Sequence, residues 1–385
     1  MPPRSTSSRA GAYHPQLGGY AAFIPAALPP AQPPLAINSE TQAILSAADR
    51  ALGRLDGAVT NLPSADLFVA MYVKREAVLS SQIEGTQSSL QDVLRAEARI
   101  IAADAPDDVD EVFKYVKAMN HGLERLEQLP VSIRLLKEIH AILLQGTRGE
   151  ELAPGELRIR QNWIGSAGCK LAEAVFVPPP PSHVPAALAD LETFIHSNVD
   201  LPLLVKIALT HAQFETIHPF LDGNGRLGRL LITFLLCEQK VLFKPVLYLS
   251  YYFKRHRLEY YDRLQRIRDT GDWEGWITFF LQGVIEVSEQ ATQLARKIVL
   301  LRESHRALIV ASMGRIAGKA IQILESLYAH PILEVKQVQA ITGTSFQAAN
   351  SLTRRLVEAQ ILAPLDDHER NRKFIYQQYW DLFVE

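Results

Sequence analysis

The chain has 385 residues, 48% of them hydrophobic, and its 40 Lys and Arg stand against 42 Asp and Glu for a formal net charge of -2. That length predicts two or three domains with a substantial core, and the charge balance excludes a global field that recruits nucleic acid or anionic membrane. Two cysteines, Cys169 and Cys237, are too few for a disulfide framework or metal cluster, and no uninterrupted apolar run reaches membrane-spanning length, so the expectation is a cytoplasmic protein without a membrane partner.

Residues 1–37 are rich in Pro, Ala and Ser. They predict an extended arm along the surface with the first dozen residues disordered, and Pro25 breaks the apolar run that a signal peptide would need. From 38 to 130 the pattern is helical. Asn38-Ser39-Glu40 caps a helix whose Leu45, Ala48, Leu52 and Leu55 recur at helical steps, and a second runs from about Pro63 to Ile83. That second helix ends in Ser80-Ser81-Gln82-Ile83-Glu84-Gly85. Glu84 is a carboxylate where the helix dipole disfavours one, so it needs a cation unless it is simply a solvated surface glutamate. Thr86 and Ser88 are candidate caps for the next helix, Ala105-Pro106-Asp107 is a break, and further helices span Val112 to Leu126 and Ser132 to Leu144. Two β-branched and aromatic runs around Ser166-Ala167-Gly168, including Ile164 and Gly165, read as a hairpin with an unpaired edge, or as an ordinary surface hairpin.

The informative stretch is His218-Pro219-Phe220-Leu221-Asp222-Gly223-Asn224-Gly225-Arg226-Leu227-Gly228-Arg229. Before it, Leu203, Leu204, Ile207, Ala208, His211, Phe214 and Ile217 form one apolar helical face, and Pro219 pushes His218 out of the α region at the helix end. After it, Leu227, Leu230, Leu231, Phe234 and Leu235 restart the period. The loop therefore opens a helix, whose free N–H groups and positive dipole end attract anions. Gly223 and Gly225 permit close backbone approach around Asn224, Arg226 and Arg229 share one side of the first turns, Asp222 suits Mg²⁺, and His218 is the candidate general base. The segment Gly223 to Gly228 also fits G-x-G-x-x-G, but a helix and His-Pro precede it where a dinucleotide site requires a strand.

Downstream, Tyr260-Tyr261 lies in an aromatic cluster, and a long helix runs from about Trp273 to Ser304. Then Ile321 to Leu327, Val335 to Ile341, a turn at Gly343, Ala348 to Ala359, and short segments at Ile361-Leu362 and Phe374 to Tyr376 follow the order of a winged helix-turn-helix. Gln347, Asn350, Ser351, Arg354 and Arg355 with Arg370, Arg372 and Lys373 have the side chains for DNA contact. Eight Lys or Arg against eight Asp or Glu over 315–385 make protein docking or dimer formation an equal alternative.

The stretch from His218 to Arg229 closely resembles the signature of the Fic family: His-Pro-Phe, any residue, Asp or Glu, Gly-Asn-Gly-Arg, two residues, Arg. The resemblance implies an all-α fold with a short β-hairpin flap and AMP transfer from ATP to a Ser, Thr or Tyr hydroxyl of a protein target, or of the chain itself. It implies that His218 deprotonates that hydroxyl, Asp222 binds Mg²⁺, and Gly223 through Arg229, including Leu227 and Gly228, hold the phosphates. Tyr260 and Tyr261 would line the adenine pocket, although the place near Arg268 lacks the asparagine that sometimes completes it. The flap with Ile164 and Gly165 would register the target. Ser80 and Glu84 match an inhibitory Ser-x-x-x-Glu-Gly motif, whose glutamate would pair with Arg229. The implied organisation is an arm over 1–37, inhibitory N-terminal helices over 38–130, a catalytic domain over 131–285, a connecting helix over 286–310 and a winged helix over 311–385, in a homodimer. Removal of AMP, or nucleotide sensing by a winged-helix regulator, are the alternatives.

Overall fold

A computed structural model describes residues 9–60, 62, 65–98, 108–147, 149–166, 168–365 and 372–384. The chain opens with a hairpin, β1 (Gly11–Gln16) and β2 (Tyr20–Pro25), paired antiparallel from Gly11↔Pro25 to Gln16↔Tyr20. Helices α1 (Ser39–Thr60), α2 (Ala65–Ile83), α3 (Leu90–Glu97), α4 (Val109–Arg125) and α5 (Ile133–Leu144) follow. After a long irregular segment come α6 (Val184–His196), α7 (Leu203–Ile217), α8 (Asn224–Glu238), α9 (Ser250–Arg255), α10 (Arg257–Thr270) and α11 (Trp273–Met313). The C-terminal part contains α12 (Ala317–Leu327), β3 (Ile332–Glu334), α13 (Val335–Thr342), α14 (Phe346–Glu358), β4 (Ala363–Pro364), β5 (Lys373–Ile375) and α15 (Gln377–Val384). Its sheet has the antiparallel order β3-β5-β4.

The described residues are thus mainly helical with two small antiparallel sheets. Helices α7 and α8 pack on each other and are enclosed by α2, α4, α5, α6, α10 and α11. Every residue of α7 from Ile207 to Ile217 is buried, as is every residue of α8 from Arg226 to Leu236. The sequence reads α7 as one apolar face; burial extends around the whole helix because neighbours cover all its sides. Polar residues on these helices are therefore desolvated, and each needs an internal partner.

Several expectations change. The arm is a hairpin, turned by Gly18 and Gly19 at φ 116° and 79°. Of the first dozen residues, expected to be disordered, 1–8 lie outside the described residues, whereas Arg9 is fixed by a two-pronged contact with Glu274 at 2.6 and 2.7 Å. The cap of α3 is Ser89, whose side chain and that of Asp92 form a capping box, rather than Thr86 or Ser88. The hairpin expected around 166–168 reduces to one isolated bridge, Ile164↔Phe176, with Ala167 outside the described residues. The break at 105–107 and Arg370 also lie outside them. Helix α11 continues to Met313, and β3 and α15 add elements that the periodicity does not mark. The interval Trp273–Leu327 is long and apolar enough to cross a membrane by length and composition alone, although charged residues interrupt it; α1 packs along α11 within it.

Candidate functional site

The loop between α7 and α8 is held open by atoms from four other segments. His218 caps α7 in the left-handed region at φ 49°, ψ 60°, a conformation costing a non-glycine residue about 1–2 kcal/mol. Its carbonyl is fixed by Arg158 Nε at 2.8 Å and Asn162 Nδ2 at 3.3 Å. Asn224 spends its side-chain amide on Phe220, accepting from the backbone N–H at 2.9 Å and donating to the carbonyl at 2.8 Å. It therefore shapes the loop with its side chain. Gly223, the N-cap of α8, has φ 75°, which glycine adopts without penalty. Gly225 is helical instead, and a Cβ there would strike Glu84 Oε1.

His140 braces the loop from α5. Its Nδ1 accepts the Gly155 N–H at 2.8 Å, so Nε2 carries the proton donated to the Asp222 carbonyl at 3.0 Å. The ring stacks on Phe220 at 3.8 Å between centroids, and burial pushes its pKa down to about 4. The Asp222 carboxylate is about one-third exposed and lies 3.5 Å from Arg226. Among the described residues no group of three His, Cys, Asp or Glu could hold a metal. Asp222 alone fits a Mg²⁺ held chiefly by substrate phosphates and water.

Both arginines of the loop already have acidic partners. Arg226 Nη1 meets Glu111 Oε2 of α4 at 3.0 Å, both side chains nearly fully buried. Arg229 Nε donates to Ser80 Oγ at 2.8 Å, and its Nη2 donates to the Ser80 carbonyl at 2.9 Å and to Glu84 Oε1 at 2.8 Å. Burial alone would lower the Arg229 pKa; Glu84 and Glu215 reverse this and hold it raised. His218 has its pKa pushed down to about 3 by burial, then by the cations Arg268 and Arg158. It is therefore neutral near pH 7, as a base must be.

Tyr260 and Tyr261 separate. Tyr260 is buried, its hydroxyl 3.0 Å from His211 Nε2, while His211 Nδ1 lies 2.9 Å from the Gly228 carbonyl. That chain ties α10, α7 and α8 together. Tyr261 is 39% exposed and close enough for the Glu84 charge to add to the burial that raises its pKa. Leu227 is fully buried. At the bridge, Ile164 uses both its N–H and its C=O on Phe176, which turns the neighbouring main-chain groups of Trp163 and Gly165 to the opposite edge. On the other side Phe23 of β2 donates to Val177 at 2.9 Å. Sequence reasoning missed His140, Arg158, Asn162, Glu111 and Glu215. All but Glu215 lie 56 to 115 positions from the groups they contact in the loop and first turn of α8, so no local spacing marks them.

The fold and site define a helical protein with a glycine-bearing loop at a helix start, a histidine at its rim and a carboxylate of its own pressed against it. The chain belongs to the Fic/DOC family: its N-terminal family model matches residues 43–124 and the Fic/DOC family model matches 130–236. The chain is 39% identical over 69 residues to a probable protein adenylyltransferase of Aquifex aeolicus, covering 18% of this chain and 22% of that protein. It is 26% identical over 211 residues to the protein adenylyltransferase Fic of Aedes aegypti, covering 50% and 38% respectively. The chain thus spans less than half the length of these relatives. A Fic family protein from Desulfovibrio desulfuricans shares the fold, with a TM-score of 0.57, 19% identity, and coverage of 90% of this chain and 98% of that one.

Proposed function

We propose that the chain is a protein adenylyltransferase restrained by its own Glu84. The observation that carries this reading is the 2.8 Å pair of Glu84 with Arg229, set where a Cβ on Gly225 would strike the carboxylate. A carboxylate there occupies the anion position at the start of α8 and takes up the cation that a nucleotide's outer phosphate would need. The names of the relatives supply the reaction class.

In this reading the backbone of 223–225 receives the inner phosphates of ATP, and Arg226 and Arg229 the outer ones. A target Ser, Thr or Tyr oxygen attacks the α-phosphorus, its proton passes to His218, and pyrophosphate leaves. Asp222 would hold Mg²⁺, which when bound neutralises phosphate charge. The outward main chain of Trp163 and Gly165 would pair with an extended target segment. Tyr261 is the better placed of the two tyrosines to meet a base, because Tyr260 is committed to His211. We read the C-terminal elements as a winged helix serving protein docking, and the enzyme as a homodimer.

The test is intact-mass spectrometry after incubating wild type, Glu84→Gly and His218→Ala with ATP and Mg²⁺. The Glu84 variant should gain AMP mass roughly tenfold faster than wild type, the factor that about 1.4 kcal/mol of ion-pair competition makes. His218→Ala should gain none. Equal rates in wild type and the Glu84 variant would remove the restraint, and no gain in either would remove the transferase.

A further inference from the structure

Among the buried polar atoms in and beside the loop that lack hydrogen-bond partners are Nδ1 of His218 and Oε1 of Glu215. They belong to neighbouring side chains, since Nδ1 lies 3.9 Å from the other oxygen of the same carboxylate, Oε2. Oxygens and nitrogens buried without partners are costly, and a pair left slightly apart is the usual state of catalytic hydrogen bonds before substrate arrives. The last turn of α7 dictates the placement, because positions three apart share one helical face. Gly228 makes room from the other side: a Cβ there would strike Glu215 Oε1.

The charges around the ring explain what the carboxylate is for. Arg268 from α10 and Arg158 from the segment before the bridge both oppose protonation of His218, while the Glu215 main-chain carbonyl and Asp222 favour it weakly. Glu215 itself faces Arg229, Glu84 and Arg268. A base that accepts a proton here becomes an imidazolium under the repulsion of two guanidiniums, and the Glu215 carboxylate, 3.9 Å from Nδ1, is a negative charge within reach of its buried edge.

We propose that Glu215 is the positioning residue of His218: its carboxylate accepts the Nδ1 proton, which leaves the Nε2 lone pair facing the loop, and it is the counter-charge once Nε2 takes the proton of the target hydroxyl. In that step the hydroxyl O–H bond breaks as the Nε2–H bond forms, the oxygen joins the α-phosphorus, and pyrophosphate carries away the electron pair of the broken P–O bond. The second half of the proposal rests on the transferase reading; the first half does not.

The test uses the full chain with ¹⁵N-labelled histidine, the His218 ring signals being those lost in His218→Ala. The wild-type ring should carry its proton on Nδ1. Because burial raises Glu215 to about 7, those signals should also shift as pH crosses that value, and Glu215→Gln should abolish the shift. With Glu84→Gly as background, Glu215→Gln should lower AMP transfer at pH 7 by roughly tenfold or more at unchanged KM for ATP, with Glu215→Asp restoring part of it. A wild-type ring protonated on Nε2 overturns the proposal without any variant, so it remains testable if Glu215→Gln does not fold. A ring response identical in wild type and Glu215→Gln also overturns it, since the main-chain carbonyl would then suffice. Absent transfer in the Glu84→Gly background with the ring response as expected overturns the transferase reading and leaves the Glu215–His218 pairing standing.

Discussion

Arg229 is buried against Glu84, whose side chain is about one-third exposed, and its charge is felt by two buried carboxylates, Glu215 and Glu76. Glu76 accepts hydrogen bonds from Tyr115 and Ser250, but its Oε2 has no partner, and burial raises its pKa from 4.5 to about 7. The folded state therefore binds this proton more tightly than the unfolded chain. The stability it contributes is full below about pH 4.5 and lost as pH rises through about 7. Urea unfolding of wild type and Glu76→Gln across pH 5 to 8 should show wild type losing ground to the variant by on the order of 3 kcal/mol as pH rises. A pH-independent difference would mean that Glu76 is ionised throughout. The loop was legible in the sequence because His218 to Arg229 is contiguous and its glycines, carboxylate and cations have few other uses in that order. Glu76, Glu111 and Glu215 were not: a lone glutamate within a helical pattern ordinarily reads as its solvated face, and only packing shows it is enclosed.

The bridge at Ile164 is too short to hold itself, and its support comes from the N-terminal hairpin. Phe23 donates to Val177 and lies 6.0 Å from Phe176, whose ring is in turn covered by the Arg268 guanidinium at 3.7 Å. The hairpin is clasped by Arg9, which binds Glu274 and the carbonyls of Gly271, Pro33 and Pro34. Removing Glu274 takes away the carboxylate that Arg9 grips through two of its nitrogens. Glu274→Ala should therefore speed hydrogen exchange at Phe23 and 175–177 while leaving the buried amides of α8 unchanged, because these strands sit at the low-stability end of the fold. Uniform acceleration everywhere would show the clasp acting on global stability instead. Helices such as α5 and α14 were legible from caps and periodicity. The hairpin was not, because its alternation is obscured by Pro and Ala, and pairing with 177 is a long-range fact.

Helix α11 is shared by both halves of the molecule: Trp276 and Phe280 are buried in the core around α7, while His305 Nδ1 meets the Tyr376 hydroxyl at 2.7 Å and Arg302 meets Glu325 at 2.7 Å. The two halves touch a second time at α3. Lys373 Nζ donates to the Ala98 carbonyl at 2.8 Å, and Glu97 stands 3.7 Å from His330 and 2.6 Å from Lys74 of α2. These contacts also bear on the DNA question. Arg355 is held by the Ser312 carbonyl, Arg372 by Asn350 and Lys373 by α3, so three of the cations suited to phosphate are engaged internally. That favours protein docking over a duplex, whose affinity would depend on free cations. If the α3 contact couples the halves, the molecule should melt as one unit through α11 and α3 together. Lys373→Glu reverses the charge beside Glu334, 3.7 Å from Lys373 Nζ, and abolishes the bond to Ala98. Differential scanning calorimetry should then resolve a separate, earlier transition for the C-terminal part, displaced by about 4–8 °C per kcal/mol of lost docking for a unit of this size. A single unshifted transition would mean that α11 alone carries the coupling.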